Sequence, residues 1–271
     1  MKGNNKKAIL VVSFGTSHVE TRDKTIGAIE KDISRSYPEY EIRRAFTSGR
    51  IIKVLANRDG IIVDNVTEAM DHLLEEGFQT VIVQPTHVIN GEMNDEMEAV
   101  VTRYTDRFEE IKIGRPLLTY TEDYQKVIRA IMDQFPGLDD SEALVLMGHG
   151  TGHHVNTVYT ALDRQFKELG HGNVFVGTVE AYPDIDEVEK RVRSYHPQRI
   201  ILLPLMIVAG DHACNDMAGD KETSWKSIFE RAGYEVSCLV QGLGEVPAIR
   251  DIFLEHIARA MSKPQGLLTA V

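Results

Sequence analysis

Two pairs of segments recur in this chain in the same order, and that duplication restricts its fold more than any single motif. VVSFGTSH (11–18) parallels VLMGHGTGHH (145–154), each an apolar run breaking into a turn of small residues. TVIVQPTHVINGE (80–92) parallels RIILLPLMIVAGD (199–211), and setting Pro85 against Pro204 also sets Gly91 against Gly210 and Glu92 against Asp211. Two matches in one order imply a duplicated βαβ lobe rather than two chance resemblances.

Short β-rich runs alternate with amphipathic helical stretches, which calls for mostly parallel sheets flanked by helices. The first half supplies the strands AILVVSF, EIRRAFT, TVIVQPT and IKIGRPLL; the second supplies EALVLMG, NVFVGTVE, RIILLPLM and YEVSCLV. Asp64 is expected to cap a helix burying Val66, Ala69, Met70, Leu73 and Leu74, with Gly77 as its stop. After His154, the residues Val155, Val158, Tyr159, Leu162, Phe166 and Leu169 form one apolar stripe, read as core packing. EDYQKVIRAIMDQF and the turn PGLDD join the halves, giving an expected N-terminal α/β lobe over 1–125 and a C-terminal one over 126–271. Ligands of open α/β sheets bind beyond the carboxyl ends of the strands. The expected fold is therefore α/β, with two similar lobes and an active-site cleft between them.

Composition narrows the function. A net charge of −11 opposes binding to nucleic acid and leaves a polyanionic substrate dependent on a local basic patch. Cys214 and Cys238 form no CxxC pair and supply no thiolate metal cage. No apolar run reaches the ~18 residues that span a bilayer, and MKGNNKK leads into a strand rather than a signal-peptide core, so a cytoplasmic protein is expected.

The chemistry gathers in the turns after the strands. His149 sits between Gly148 and Gly150, Glu180 ends NVFVGTVE, and His212 follows RIILLPLMIVAGD. Two imidazoles and a carboxylate suit a borderline divalent ion such as Co²⁺, Ni²⁺, Fe²⁺ or Zn²⁺ with coordination positions left open. Rival readings use the same region. A dinucleotide fingerprint would need glycine at 153, which is His153. A zinc hydrolase pairing His149 with His153 or His154 lacks an HExxH helix, and neither a G-x-S-x-G elbow nor a Walker A loop is present.

LVVSFGTS, RAFTSGRII (44–52), HVINGE (87–92), MGHG (147–150), VEAYP (179–183), PLMIVAGDHACNDM (204–217), SWK (224–226) and QGLGEVPAIR (241–250) together carry a further observation. Over nearly its whole length the chain resembles the anaerobic-pathway sirohydrochlorin cobaltochelatases of the class II chelatase family, related in fold to ferrochelatase. The resemblance implies a bilobal chelatase-like fold and insertion of a divalent metal, Co²⁺ first with Ni²⁺ or Fe²⁺ as alternatives, into sirohydrochlorin or precorrin-2 without a nucleotide. It implies His149 and His212 as metal ligands, Glu180 as ligand or proton acceptor, and Glu92 assisting from the first lobe, with Met93 separating Glu92 from the next acids. Arg50 and Lys53, with Arg44 and Arg58 nearby, are expected to meet the carboxylates of the macrocycle, and Ser13 and Thr16 to line it from the Ser13–Ser17 turn. No membrane partner is expected; a homo-oligomer stays open. A non-catalytic tetrapyrrole or metal carrier of the same fold would keep the same histidines.

Overall fold

A computed structural model describes residues 6–262. Their packing divides into two compact units, one running to Thr119 and resuming at Ile249, the other spanning Tyr120–Ala248. The single boundary expected near residue 125 leaves out this return of the last helix, Pro247–Ser262, to the first unit. There Arg250 pairs with Asp32, Tyr37 donates to the Leu254 carbonyl, and the buried His256 bonds the Arg115 carbonyl through Nδ1 at 2.9 Å.

The first unit holds β1 (Lys7–Ser13), β2 (Glu41–Phe46), β3 (Thr80–Pro85) and β4 (Glu110–Ile113); the second holds β5 (Glu142–Gly148), β6 (Val174–Thr178), β7 (Arg199–Pro204) and β8 (Glu235–Cys238). Both sheets are wholly parallel, ordered β2-β1-β3-β4 and β6-β5-β7-β8. The duplication holds at the level of register: Val12 faces Pro85 in one sheet and Met147 faces Pro204 in the other. The central strands β1, β3 and β5 are buried almost throughout, as strands covered by helices on both faces must be. The edge strands are shorter than the sequence suggested. β4 stops at Ile113 because Gly114 makes the last ladder bond, to Val83, and Pro116 has no N–H to continue it.

Each sheet is sealed by helices carrying the expected apolar stripes. In the first unit Val66, Ala69, Met70 and Leu73 pack on Leu10, Val12, Val81 and Val83. The cap of that helix is Asn65 rather than Asp64. Asn65 accepts from the Glu68 N–H while Glu68 answers to the Asn65 N–H, and the Asp64 carboxylate turns instead to His72 at 2.8 Å. Gly77 ends the helix with a left-handed backbone, φ 77°. In the helix Thr157–Glu168 only Tyr159, Leu162 and Phe166 of the expected stripe are buried; Asp163 joins them because it bonds the Val176 N–H at 2.7 Å and faces Arg191, and Leu169 lies out on the surface. No helix among the described residues is long and apolar enough to cross a membrane.

Candidate metal centre

The second sheet places β5 between β6 and β7, so the three segments leaving their carboxyl ends emerge side by side. His149 directly follows β5. The ladder then runs past the strands: Val179 N–H donates to the Gly148 carbonyl at 3.0 Å and Glu180 N–H to the His149 carbonyl at 2.9 Å, which fixes Glu180 beside His149. On the other flank Leu205 N–H bonds the Met147 carbonyl, and the chain continues to His212 at the head of a wide helical turn, His212–Met217. A π-type turn of this kind is often found where a side chain must be aimed at a site. Ala213 and Met217 anchor it in the core. The polar stretch 209–224 is thus partly helical.

Among the described residues, His149, Glu180 and His212 form the one set of three metal-ligating side chains close enough to share an ion, their donor atoms all lying within 4.8 Å of one another. The two imidazole rings meet edge to face with centroids 4.8 Å apart, and His212 Nε2 lies 3.9 Å from Glu180 Oε1. Donors bound to a common ion at roughly 2.0–2.2 Å are separated by at most about 4.4 Å, so small rotations close the set. Glu180 and His212 keep 56% and 34% side-chain exposure, so the set faces solvent.

Both imidazoles are held with Nε2 free. His149 Nδ1 donates to the Gly150 carbonyl at 2.8 Å and His212 Nδ1 donates to the Asp216 carboxylate at 2.6 Å. Each acceptor can only accept, so the proton sits on Nδ1 and the Nε2 lone pair is left for metal. Sequence reasoning passed over Asp216, although the i, i+4 spacing from His212 was visible. Replacing a partner that orients a metal-bound imidazole typically costs roughly 10–100-fold in metal affinity. Asp216→Ala is expected to weaken Co²⁺ binding to that extent in a visible-absorption titration, and Asp216→Asn, which keeps an acceptor oxygen, to recover part of it. Equal affinity in the alanine variant and the parent would exclude the positioning role.

Two further residues hold the turn. Asn156 accepts from the Thr151 N–H and donates to the Tyr182 carbonyl, tying the His149 turn to the loop that carries Glu180. The Tyr159 ring is core, as expected, but its hydroxyl lies under the turn. Burial pushes it up to about 12 against the opposing pull of the Gly150 and His149 N–H groups, so it remains a neutral phenol. His153 and His154 stack on each other, ring centroids 4.0 Å apart, and His153 Nδ1 accepts from the Val155 N–H; they stand outside the metal-ligating set.

The residues expected in the first unit are distributed differently. Arg50 and Lys53 are exposed and line a depression of about 540 Å³ with Val54, Asn57 and Arg58. Arg44 is committed to Glu30 through two hydrogen bonds, and Arg58 to Asp59 and the Ser17 carbonyl. Ser13 and Thr16 are buried, with Ser13 Oγ 2.8 Å from Thr86 Oγ1 and Thr16 Oγ1 accepting from the His18 N–H, so these hydroxyls hold the turn itself. Glu92 is exposed in the first turn of the helix Glu92–Thr102.

Comparison with known proteins sets this geometry in context. Residues 7–262 match the family model described as cobalt chelatase (CbiK). The sirohydrochlorin cobaltochelatase of Salmonella typhimurium is 41% identical over 257 residues, spanning 95% of this chain and 97% of that protein. The sirohydrochlorin cobaltochelatase CbiKC of Nitratidesulfovibrio vulgaris is 30% identical over 260 residues, spanning 95% and 91%. Among solved structures, the sirohydrochlorin chelatase SirB from Bacillus subtilis subspecies spizizenii, in complex with cobalt, superposes with a TM-score of 0.66 at 13% identity, covering 97% of this chain and 98% of that one. CbiX, described as the terminal enzyme of siroheme biosynthesis in denitrifying bacteria, gives 0.58 at 17% identity, covering 94% and 100%. At such identities the structural likeness bears on fold alone.

Proposed function

The chain belongs to the cobalt chelatase (CbiK) family, and we propose from that premise that it inserts Co²⁺ into sirohydrochlorin, using His149, Glu180 and His212 to present the ion. The convergence of those three side chains at one sheet edge carries the reading. Two imidazoles and a carboxylate bind a borderline divalent ion firmly enough to strip part of its water shell, yet leave coordination positions for pyrrole nitrogens. Insertion exchanges protein ligands for macrocycle nitrogens and releases two protons. As the ion moves across, the lone pairs freed on Glu180 and the imidazoles become available to take those protons. No step of this exchange requires phosphoryl transfer, so the reaction proceeds without a nucleotide. Glu92 is the further acid assigned to the reaction, and the product, like the substrate, is a polycarboxylate that the basic depression attracts.

Anaerobic incubation with sirohydrochlorin and Co²⁺, Ni²⁺ or Fe²⁺ in turn, without ATP, tests this through the macrocycle's absorption. Enzyme-dependent conversion is expected, fastest with Co²⁺. A rate no greater than that of the free ions would overturn the reading.

Arg50 and Lys53 have no ion-pair or hydrogen-bond partner among the described residues. As surface contacts to substrate carboxylates they act on ground and transition states alike. Removing either charge is expected to raise the sirohydrochlorin KM roughly two- to fivefold with little change in kcat, in line with exposed ion pairs. Added salt should reproduce the effect in the parent. A kcat defect insensitive to salt would argue against these contacts.

A further inference from the structure

Arg22, on the short helix Val19–Lys24 after β1, is a buried cation without a hydrogen-bonded countercharge. Its side chain is 7% exposed, and its Nε and Nη1 are buried with no hydrogen-bond partner. The nearest carboxylate is that of Asp23, 71% exposed and 4.0 Å from Nε, beyond hydrogen-bonding distance. Other shielded arginines of this unit are treated differently by the fold. Arg115, equally buried, meets Glu98 at 2.7 Å, Arg44 meets Glu30 and Arg250 meets Asp32. Burying a guanidinium unpaired is costly, and a carboxylate at hydrogen-bonding distance is the usual remedy.

The surroundings indicate where that carboxylate comes from. Arg58, a wall of the basic depression, donates to the Ser17 carbonyl, two residues before the Arg22 helix begins. The Asp59 carboxyl is held below its usual range mainly by its hydrogen bond to Arg58, with a smaller contribution from Arg22, so the two arginines are neighbours. Two more buried polar side chains lack partners just past the ends of this sheet's strands: Thr47 Oγ1 after β2, and both ring nitrogens of His87 after β3. Burial lowers His87 to about 4, so it is a neutral imidazole at physiological pH. In the second unit the unpartnered buried polar atoms belong to Arg191 and Arg199, on a helix and at the start of β7, away from the strand ends.

We propose that Arg22 is the buried anchor for one carboxylate of the tetrapyrrole, beside the depression that Arg50, Lys53 and Arg58 line. The assignment rests on the proposed chelatase reading and deepens it: the charges of the depression attract a polycarboxylate, and the planar guanidinium fork fixes one acid group in orientation. Arg22 is a specificity-determining contact rather than part of the metal transfer.

Fluorescence titration of metal-free sirohydrochlorin into the full chain tests it. Arg22→Gln is expected to weaken macrocycle binding roughly tenfold to a hundredfold, as for loss of a charge-assisted bond. Arg22→Lys, which keeps charge but loses the fork, should fall between, and Co²⁺ binding by either variant should match the parent. Unchanged macrocycle affinity in Arg22→Gln overturns the assignment. Should the variants fail to fold, the Arg22 side-chain N–H resonance of the parent decides: it should shift on saturation with sirohydrochlorin and stay in place with Co²⁺ alone, and an unmoved resonance overturns the assignment. A parent that does not bind the macrocycle at all removes the chelatase reading and this one together, whereas binding with Arg22 unmoved removes this one only.

Discussion

His149→Ala and His212→Ala are each expected to abolish cobalt insertion while leaving the melting temperature close to that of the parent. Both imidazoles sit at strand ends outside the apolar clusters, and both spend Nδ1 on a single hydrogen bond, so truncation exposes no core. Substitutions at such positions usually change stability by no more than about 0.5 kcal/mol. The effect on chemistry is of another order. Losing a residue that merely orients a ligand costs roughly 10–100-fold in affinity, and losing the ligand itself costs more. Two donors remain, too few to hold a hydrated Co²⁺ for transfer. His72→Ala is the matched control: this exposed imidazole pairs with Asp64 on the helix Val66–Glu75 of the first unit, and its loss should leave turnover unchanged. Near-parental turnover in either active-site variant would show that the pair does not share an ion.

The second large effect is expected from backbone alone. Gly150 holds φ at 84°, and a Cβ there would lie 2.8 Å from the Thr178 side chain and 2.9 Å from the Ala181 nitrogen. Its carbonyl is also the acceptor that orients His149. Gly150→Ala therefore combines a left-handed alanine with overpacking against the Glu180 loop, a loss of roughly 2–4 kcal/mol. It should lower the denaturation midpoint and, by displacing His149, weaken Co²⁺ binding as well. Gly152→Ala, two residues on in the same turn, has open space at its Cβ and no left-handed backbone, so it should be silent in both measurements. A Gly150→Ala protein with parental stability and parental metal affinity would mean that the turn does not set the histidine.

Much of the architecture was legible because its causes are local. Apolar runs such as ILVV and ALVLM can be buried only on both faces, which requires parallel strands under helices. The repeated Pro85 and Pro204 segments announced a duplication that the register confirms. Element ends were less legible where neighbouring side chains compete. Asp64 and Asn65 are both good caps, and the choice fell to Asn65 because His72 engages the other carboxylate.

The three candidate ligands could be picked out from sequence because each stands in a turn after an apolar run. What the chain order could not supply was adjacency. His149, Glu180 and His212 come together because β5 lies between β6 and β7 and the ladder bonds continue beyond the strand ends, a consequence of strand order in space. Asp216 acquires its role only once His212 begins a helical turn, since i, i+4 neighbours meet on a helix and not in the extended loop that a polar stretch suggests. Ser13, Thr16 and Arg44 had the right chemistry in or just after the strands, yet tertiary packing supplied them with Thr86, His18 and Glu30 as partners. Arg22 is the converse case. On sequence it is one more basic residue, and only the fold shows it buried with no carboxylate at hydrogen-bonding distance. Local pattern thus determined which elements form and which residue types stand at their ends, because those depend on neighbours along the chain. Pairing and burial decided which of those side chains remain free to bind, because a polar group's partners are chosen by distances that only the folded chain defines.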